Sequence, residues 1–558
     1  MVPEKRVLFI SNFYPPLVVG GAEIVAHRHA TAMRENGWNV RVFAGALPTS
    51  ELRHGTLSTD TVDGLTVYRL VHRSMELEEN FRWPLANRVL KSILTTFQPQ
   101  WMLAHNLSGL GVDLVRIARA AGVRAAVTLH DHWGHCFKGT RLRNDGQLCG
   151  DPDECHLCRP TFFSNEQTLP IRLRRDFVAH RLDAADVLIS PSQSLASMYI
   201  AAGFGSDRIV VQSNGIDLSA IPSRRRSPGA FVRFLCASYL GEHKGIPSLL
   251  DAMTALAGQA TIAGKWSMTI AGDGHLADFV EAAIKSRKLT NCVTFVGRRP
   301  RTGLMSLLSE SDVVVLPSTW PENEPVILLE ATASGAALIA SRAGGNAELV
   351  QHGKTGLLFT PGDADALAAA MSALIRDPKM IEDMSRLNLN RRPTMDEGKS
   401  VRNLESLLRD CPSAKHPSNP VIICDGRADF RTNLSIQVLA KALPHPRPRL
   451  IWREWAESSD WDDAHAYWRF SDDVDTAKLA EPIERGVPMI LPYSEAARAL
   501  ETITSNVHLY NDSRALWSII QALTSGERVR DPSPELIAMR RRSIALRPQR
   551  EFYFGTGL

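Results

Sequence analysis

Residues 312–345, DVVVLPSTWPENEPVILLEATASGAALIASRAGG, limit what this chain can fold into more than any other stretch. The apolar run from Val313 to Leu316 is too short for a helix and reads as a strand buried on both faces, as in a parallel sheet. After a short polar loop, Val326, Ile327, Leu329 and Ala333 recur at helical spacing. Strand, loop and helix in that order commit the region to an α/β fold. Pro325 suits the first helical turn, where its missing N–H costs nothing, and Asn323 or Glu324 is placed to cap it.

Two carboxylates belong to this unit, Glu322 in the loop and Glu330 in the helix, with seven residues between them. Free N–H groups and the positive end of a helix dipole favour a diphosphate at such a helix start, so flanking carboxylates can take hydroxyls on either side, one of a sugar and one of a ribose. The spacing alone fits equally a solvated loop glutamate beside an ordinary helical one. The surrounding sequence separates the two readings.

Together, PEN, PVILLEATASG, ALIAS and AGG resemble the donor-binding motif of the retaining glycosyltransferases of family 4, which have the two-domain GT-B fold. The likeness extends through GEHKG (241–245), AGDG (271–274) and FVGR (295–298) before the motif and GKTGLLFTPGD (353–363) after it, with GGAE (20–23) near the amino terminus. It covers about residues 5–410. The resemblance implies transfer, with retention, of a hexose-type sugar from a nucleotide-diphosphate sugar to a hydroxyl acceptor: a sugar, a lipid-linked glycan or a small molecule. Polysaccharide or glycoconjugate biosynthesis is the implied setting. His130, Lys244 and Glu322 are the implied catalytic residues, and Gly20, Gly21, Gly272, Gly274, Arg298, Asn323, Pro325 and Glu330 the implied nucleotide-sugar contacts. The family often pairs its lysine with an arginine a few residues upstream. Here Tyr239 and Leu240 occupy that region, which leaves Arg298 or Arg299 as the replacement. Without a DxD-type site in a convincing place, no divalent metal is required for catalysis. A nucleotide-sugar epimerase or a phosphorylase can use the same two-domain architecture. So can an inactive nucleotide-sugar sensor or scaffold, although the presence of Glu322, Glu330 and Lys244 argues against it.

At 558 residues the chain needs several domains. Alternating strand and helix patterns over 1–212 read as a first Rossmann-like domain on the acceptor side, with strands at 101–105, 125–130, 187–191 and 209–212. His130 and Asp131 fall at the carboxyl end of one of these strands, where ligands collect in open α/β sheets, though a lone histidine there serves as readily as a structural hydrogen-bonder. Gly20 and Gly21 permit close backbone approach to an anion or mark a tight turn. SNGID (213–217) opens a linker into a second, donor-binding domain over 213–380, and 381–410 reads as helices crossing back to the first. Lys244, beside a helix start, can hold a departing diphosphate or sit as a surface lysine.

An insertion over 132–163 carries Cys136, Cys149, Cys155 and Cys158, separated by twelve, five and two residues. A terminal CxxC lets two thiolates converge on one ion, so the four can form a structural zinc site or hold an iron–sulfur cluster, with His132, His135 or His156 as substitutes, or they are free thiols. Past a proline-rich linker, 420–530 alternates strands and helices again and looks like a worn copy of the second domain. EPIERGVPMILP parallels EATASGAALIAS, RALWSIIQAL parallels DALAAAMSAL, and Asp473 and Glu481 keep the two-carboxylate spacing. The copy lacks the GxxKG, PEN and AGG pieces, so the reading is a degenerate, catalytically silent repeat. The last segment, 531–558, is a basic tail that is either solvated or in peripheral contact with an anionic membrane.

A formal charge of +4, with no basic face and no recognition motif, excludes a nucleic-acid partner, and Arg224 to Arg226 read as solvated linker. VLFIS is too brief for a signal-peptide core, and no apolar run approaches the ~18 residues of a membrane span. The expectation is therefore a cytoplasmic protein, at most peripheral at the inner face of the membrane.

Overall fold

The computed structural model describes residues 5–412 apart from 74, 77–79, 152–153, 165–166 and 223–230. Beyond these it describes 421–425, 449–456, 460–461, 464–469, 479, 481–482, 485, 487–492, 507–510 and 519–520. The chain divides into two compact units, 1–418 and 419–558. The expectations for Arg224 to Arg226, Asp473, most of the helix at 514–523 and the basic tail 531–558 lie outside the described residues.

The first unit holds two sheets. In chain order the strands are β1 (Arg6–Ser11), β2 (Asn39–Ala46), β3 (Leu57–Val62), β4 (Leu65–Val71), β5 (Trp101–Asn106), β6 (Arg124–Thr128), β7 (Thr161–Ser164), β8 (Gln167–Pro170), β9 (Val187–Ser190) and β10 (Ile209–Val211). Eight of them form the first sheet, in the order β10-β9-β6-β5-β1-β2-β4-β3, while β7 and β8 form a separate hairpin that begins at the end of the insertion and runs past it. Every pairing in the eight-stranded sheet is parallel except β3 with β4. The Asp63–Gly64 turn joins these two with positive φ at both residues (46° and 76°), the geometry that lets an Asp-Gly pair close a two-residue hairpin.

The second sheet contains β11 (Val232–Ala237), β12 (Trp266–Ala271), β13 (Val293–Phe295), β14 (Val313–Leu316), β15 (Ala337–Ser341) and β16 (Gly356–Phe359), all parallel, in the order β13-β12-β11-β14-β15-β16. Its strands are mostly apolar because both faces are covered. Val232, Phe234, Cys236, Val313, Val315, Ala337 and Ile339 enter one core cluster, while Leu235, Val314, Leu316, Leu338 and Ala340 enter the other. The strand order reverses between β11 and β14, and the polar loops after these two strands meet at that switch point.

Two stretches join the sheets, and they lie side by side. Ile216, in the outgoing linker, pairs in parallel with Asp396 on the returning chain; its N–H donates to Met395 O at 2.8 Å, and Glu397 N donates to Ile216 O at 2.9 Å. The returning chain then forms the helix Glu397–Asp410, whose Val401, Leu404 and Leu408 complete the core of the first sheet beneath the opening helix Gly21–Glu35.

The second unit contains β17 (Val421–Asp425), β18 (Arg449–Trp452), β19 (Ala464–Arg469), β20 (Met489–Pro492) and β21 (Val507–Tyr510), all parallel, in the order β18-β17-β19-β20-β21. Asp425, at the end of β17, accepts from Tyr467 Oη at 2.6 Å and Arg469 Nη1 at 2.8 Å, both on β19. This buried pair fills the point where the strand order reverses. Among the described residues no helix is long and apolar enough to cross a membrane.

Candidate active site

The loop after β14 is held by its own backbone. Thr319 N donates to His243 O at 2.9 Å, and Gly345 N donates to Glu322 O at 2.6 Å. These bonds tie the loop to the 3-10 turn Glu242–Lys244 on one side and to the AGG segment on the other. Glycine at 345 is a packing requirement, since a Cβ there would overlap the carbonyl oxygen of Asn323; at Gly344, with φ of 59°, it would overlap that of Glu322. The AGG piece thus fixes where Glu322 points.

Glu322 is buried and receives Lys244 Nζ at 2.7 Å and Ser318 Oγ at 2.5 Å. Burial alone would push its carboxyl up. The Lys244 ammonium and the hydrogen bonds outweigh that and hold it below the usual glutamate range. Lys244 Nζ also sits 4.4 Å from the centre of the Trp320 ring, a cation–π contact that confines the ammonium from a second side. A cation beside the start of the helix Val326–Ser334 makes a place for an anion with neighbouring hydroxyls.

The helix begins differently from the expectation. Pro325 is its N-cap rather than a first-turn residue, and no side chain caps it. Asn323 and Glu324, the expected caps, are directed elsewhere: the Asn323 amide donates to His130 O, and Glu324 Oε2 accepts from Asn214 N at 2.7 Å in the linker. Burial pushes the Glu324 carboxyl up to about 7 against these stabilising hydrogen bonds. Glu348 makes a comparable reach, accepting from Gln193 N at 2.9 Å and Ser194 N at 2.6 Å at the start of the helix Gln193–Ala201.

Opposite this loop, Gly20 is the N-cap of the opening helix, and its N–H donates to Glu23 Oε2 at 2.8 Å. A Cβ on Gly21 would lie 3.5 Å from Val326 Cγ2, so the two helix starts face each other across the cleft. Arg298 Nη2 donates to Val18 O at 3.3 Å in the same loop. Gly272 and Gly274 are required for packing, because a Cβ on either would overlap the carbonyl oxygens of Ser238 and Leu240 respectively. Tyr239 does not approach Lys244; its hydroxyl meets His275 Nδ1 at 3.1 Å, and His275 Nε2 meets Glu242 at 2.5 Å.

His130 lies two residues past β6, with its Nε2 2.9 Å from His105 Nδ1. Burial, helped by nearby His29, pushes His130 down to about 3, so the imidazole is neutral at physiological pH and serves as a hydrogen-bonding group. Its neighbour Asp131 is pushed up to about 6 by burial, opposed by the Trp133 amide. His132 Nε2 lies 3.4 Å from Pro321 O, a further contact across the cleft. Glu330, 1% exposed, is paired with Arg301 at 2.5 Å and with Arg28 at 3.6 Å.

The structure thus brings Gly20, Gly21, His130, Lys244, Arg298, Glu322, Asn323, Pro325 and Glu330 around one cleft. It does not bring the four cysteines together as a metal site. None of the four is in a disulfide, and among the described residues no three His, Cys, Asp or Glu side chains converge where a metal ion could be held. Cys155 and Cys158 bound a single helical turn, and Cys149 Sγ contacts Asp151 O at 3.1 Å. Burial pushes the Cys155 thiol up to about 11 and raises that of Cys136, and neighbouring Cys149 acts in the same direction on both. Side chains that reach backbone carbonyls order the insertion instead: Lys138 to Leu142 at 2.8 Å, Asn144 to Cys158 at 2.8 Å, and Arg141 to Cys149.

The sequence alone does not single out Arg28, Arg301, Trp320 or Glu348, and it offers Glu324 only as a helix cap. Trp320 stood next to the PEN piece and was within reach of the argument. The others carry no local signal, because their partners are distant in sequence.

Two family models match. Residues 19–220 match Glycosyltransferase Family 4, and residues 221–390 match Glycosyl transferases group 1. The glycogen synthase of Mycobacterium tuberculosis is 25% identical over 389 residues, covering 68% of this chain and 88% of that protein. The amylovoran biosynthesis glycosyltransferase AmsK of Erwinia amylovora is 33% identical over 201 residues, 35% of this chain and 49% of its own length. Among solved structures, Anabaena HepE in complex with UDP superposes with a TM-score of 0.53 at 20% identity, over 72% of this chain and 99% of that one. Sucrose-phosphate synthase from Thermosynechococcus elongatus does so with a TM-score of 0.56 at 18% identity, over 73% and 98%. The shared fold is GT-B.

Proposed function

We propose that this chain, whose residues 19–220 and 221–390 match two glycosyltransferase family models, transfers a sugar, with retention, from a nucleotide-diphosphate donor to a hydroxyl acceptor. The observation that carries this reading is the Lys244–Glu322 pair at the head of the helix that bears Glu330. In this reading the diphosphate lies between the Gly20–Gly21 turn and the start of the helix Val326–Ser334. The Lys244 ammonium stabilises the charge that develops on the leaving diphosphate. Glu322 accepts from a sugar hydroxyl, Glu330 accepts from the ribose, and His130 offers a neutral imidazole to the reacting sugars. Arg298, Asn323, Pro325, Gly272 and Gly274 shape the donor side. Retention follows from the family resemblance. Polysaccharide or glycoconjugate biosynthesis in the cytoplasm is the setting we infer, consistent with the amylovoran biosynthesis in AmsK's name. The repeat at 420–530 is catalytically silent in this reading; the buried Asp425–Arg469 pair at its strand switch point supports that assignment.

A panel of nucleotide sugars scored by nucleotide release, with lipid-linked and soluble acceptors, tests the proposal. One donor should turn over. Lys244→Ala should lower that turnover by about 100-fold or more, the usual effect of removing one electrostatic group from a transition state. Glu330→Ala should weaken donor and free nucleotide alike by about 1–3 kcal/mol. Unchanged turnover and affinity in both variants would sink the assignment.

A further inference from the structure

Around Glu330 the cleft contains a charge cluster with an incomplete hydrogen-bond inventory. Arg28, on the opening helix, places Nη2 3.6 Å from Glu330 Oε1 and Nε 3.8 Å from Glu397 Oε2. Arg301, at the start of the helix Arg301–Glu310, places Nη1 2.5 Å from the same Glu330 oxygen. None of these ion pairs is aligned as a hydrogen bond on that atom. Arg28 Nη1, Arg301 Nη2, Glu330 Oε1 and Glu397 Oε2 are all buried without a hydrogen-bond partner. Buried polar atoms in native proteins are rarely left so, and four in one place mark a site whose bonds are completed by something else.

Three structural elements meet here. Arg28 belongs to the first sheet's layer and Glu330 to the second's, while Glu397 is the first residue of the returning helix, with its N–H bonded to the linker at Ile216. Arg28 therefore stands between the site and the hinge. A vicinal diol donates two O–H bonds to a carboxylate and fills the lone pairs that now face Arg28. The guanidinium is then left with Glu397 Oε2 as its nearest incompletely bonded acceptor.

Resting on the donor-site reading above, we propose that Arg28 is a positioning residue that passes from Glu330 to Glu397 when ribose hydroxyls occupy Glu330, so that nucleotide binding tightens the hinge. Transfer of the guanidinium carries a proton signature. Burial pushes the Glu397 carboxyl up to about 7; Arg28 opposes this, and Asp217 in the linker, Asp396 on its own turn and Glu35 on the opening helix reinforce it. Bringing Arg28 closer lowers that value, so a proton leaves Glu397 on binding, and nucleotide affinity rises with pH through neutrality.

Calorimetric titration of the full-length protein with UDP, GDP and ADP, each alone, in two pH 7 buffers of different ionisation enthalpy reads this directly. The parent should release up to about half a proton per bound nucleotide, since a carboxyl with a pKa of about 7 is half-protonated there. Glu397→Gln should release almost none, Arg28→Met should release less than the parent, and Arg28→Lys should recover part of the release. Binding by the parent without net proton release, or parental release in both Glu397→Gln and Arg28→Met, overturns the proposal alone. A parent that binds none of the three diphosphates overturns the donor-site reading and this proposal with it.

Discussion

At pH 7 the Glu324 carboxyl is close to half-protonated, because burial in the cleft lifts it to about 7 despite the hydrogen bonds from Ser213 and the Asn214 amide. In the unfolded chain it ionises near pH 4.3. Between those values the folded protein holds a proton that the unfolded chain has lost, so stability from this group is complete below about pH 4.3 and declines as pH rises toward 7. The loss is on the order of 4 kcal/mol, from about 1.4 kcal/mol per pKa unit. Glu397 is shifted in the same direction and adds to the slope. Denaturant unfolding at pH 5 and pH 8 should show Glu324→Gln losing less stability between the two than the parent does; equal differences would refute the assignment. Nothing near Glu324 in sequence announces this behaviour. Its partner lies 110 residues upstream, and so, for Arg28, do its partners lie far downstream. Glu322, Glu330 and Lys244 were legible because their chemistry resides in residue type and local spacing beside a helix start.

Strands were the most readable elements. β14 occupies the expected residues and β5, β6 and β9 end within two residues of theirs, because burial on both faces leaves an apolar run with clear ends. Turns and caps were less legible. Pro325 caps its helix with no side-chain help, since the neighbours able to cap it are engaged across the cleft. The cysteine spacing permitted a shared ion without compelling one, and local side-chain bonds to backbone carbonyls order the insertion instead. The AGG segment invites the sharpest test at this scale. Gly345→Ala should push the Asn323 carbonyl, and Glu322 with it, out of place, since the added methyl would overlap that oxygen. Turnover should fall by about 100-fold or more, as expected for a small displacement of a catalytic group, while the far-ultraviolet circular dichroism stays parental. Parental turnover would show that Glu322 is not positioned by this contact.

For the whole molecule, the described residues place every group of the candidate site within the first unit. A chain ended after Pro412 keeps the two carbonyls, at 411 and 412, that accept from Arg124 at 2.7 and 2.8 Å. Such a chain should bind nucleotide and hydrolyse donor near the parental level. A soluble, folded truncation unable to bind nucleotide would show that the second unit contributes to the donor site. The paired linker and returning chain carry a different consequence, for how such proteins can be recombined. Because Val401, Leu404 and Leu408 pack into the first sheet's core although they follow the second sheet in sequence, the two lobes are interlaced rather than strung in tandem. Exchange of the donor lobe between relatives therefore cannot be a single-crossover event: a workable hybrid has to leave the returning helix matched to the lobe it completes, with its second junction falling between Arg391, where the last helix packed on the second sheet ends, and Asp396.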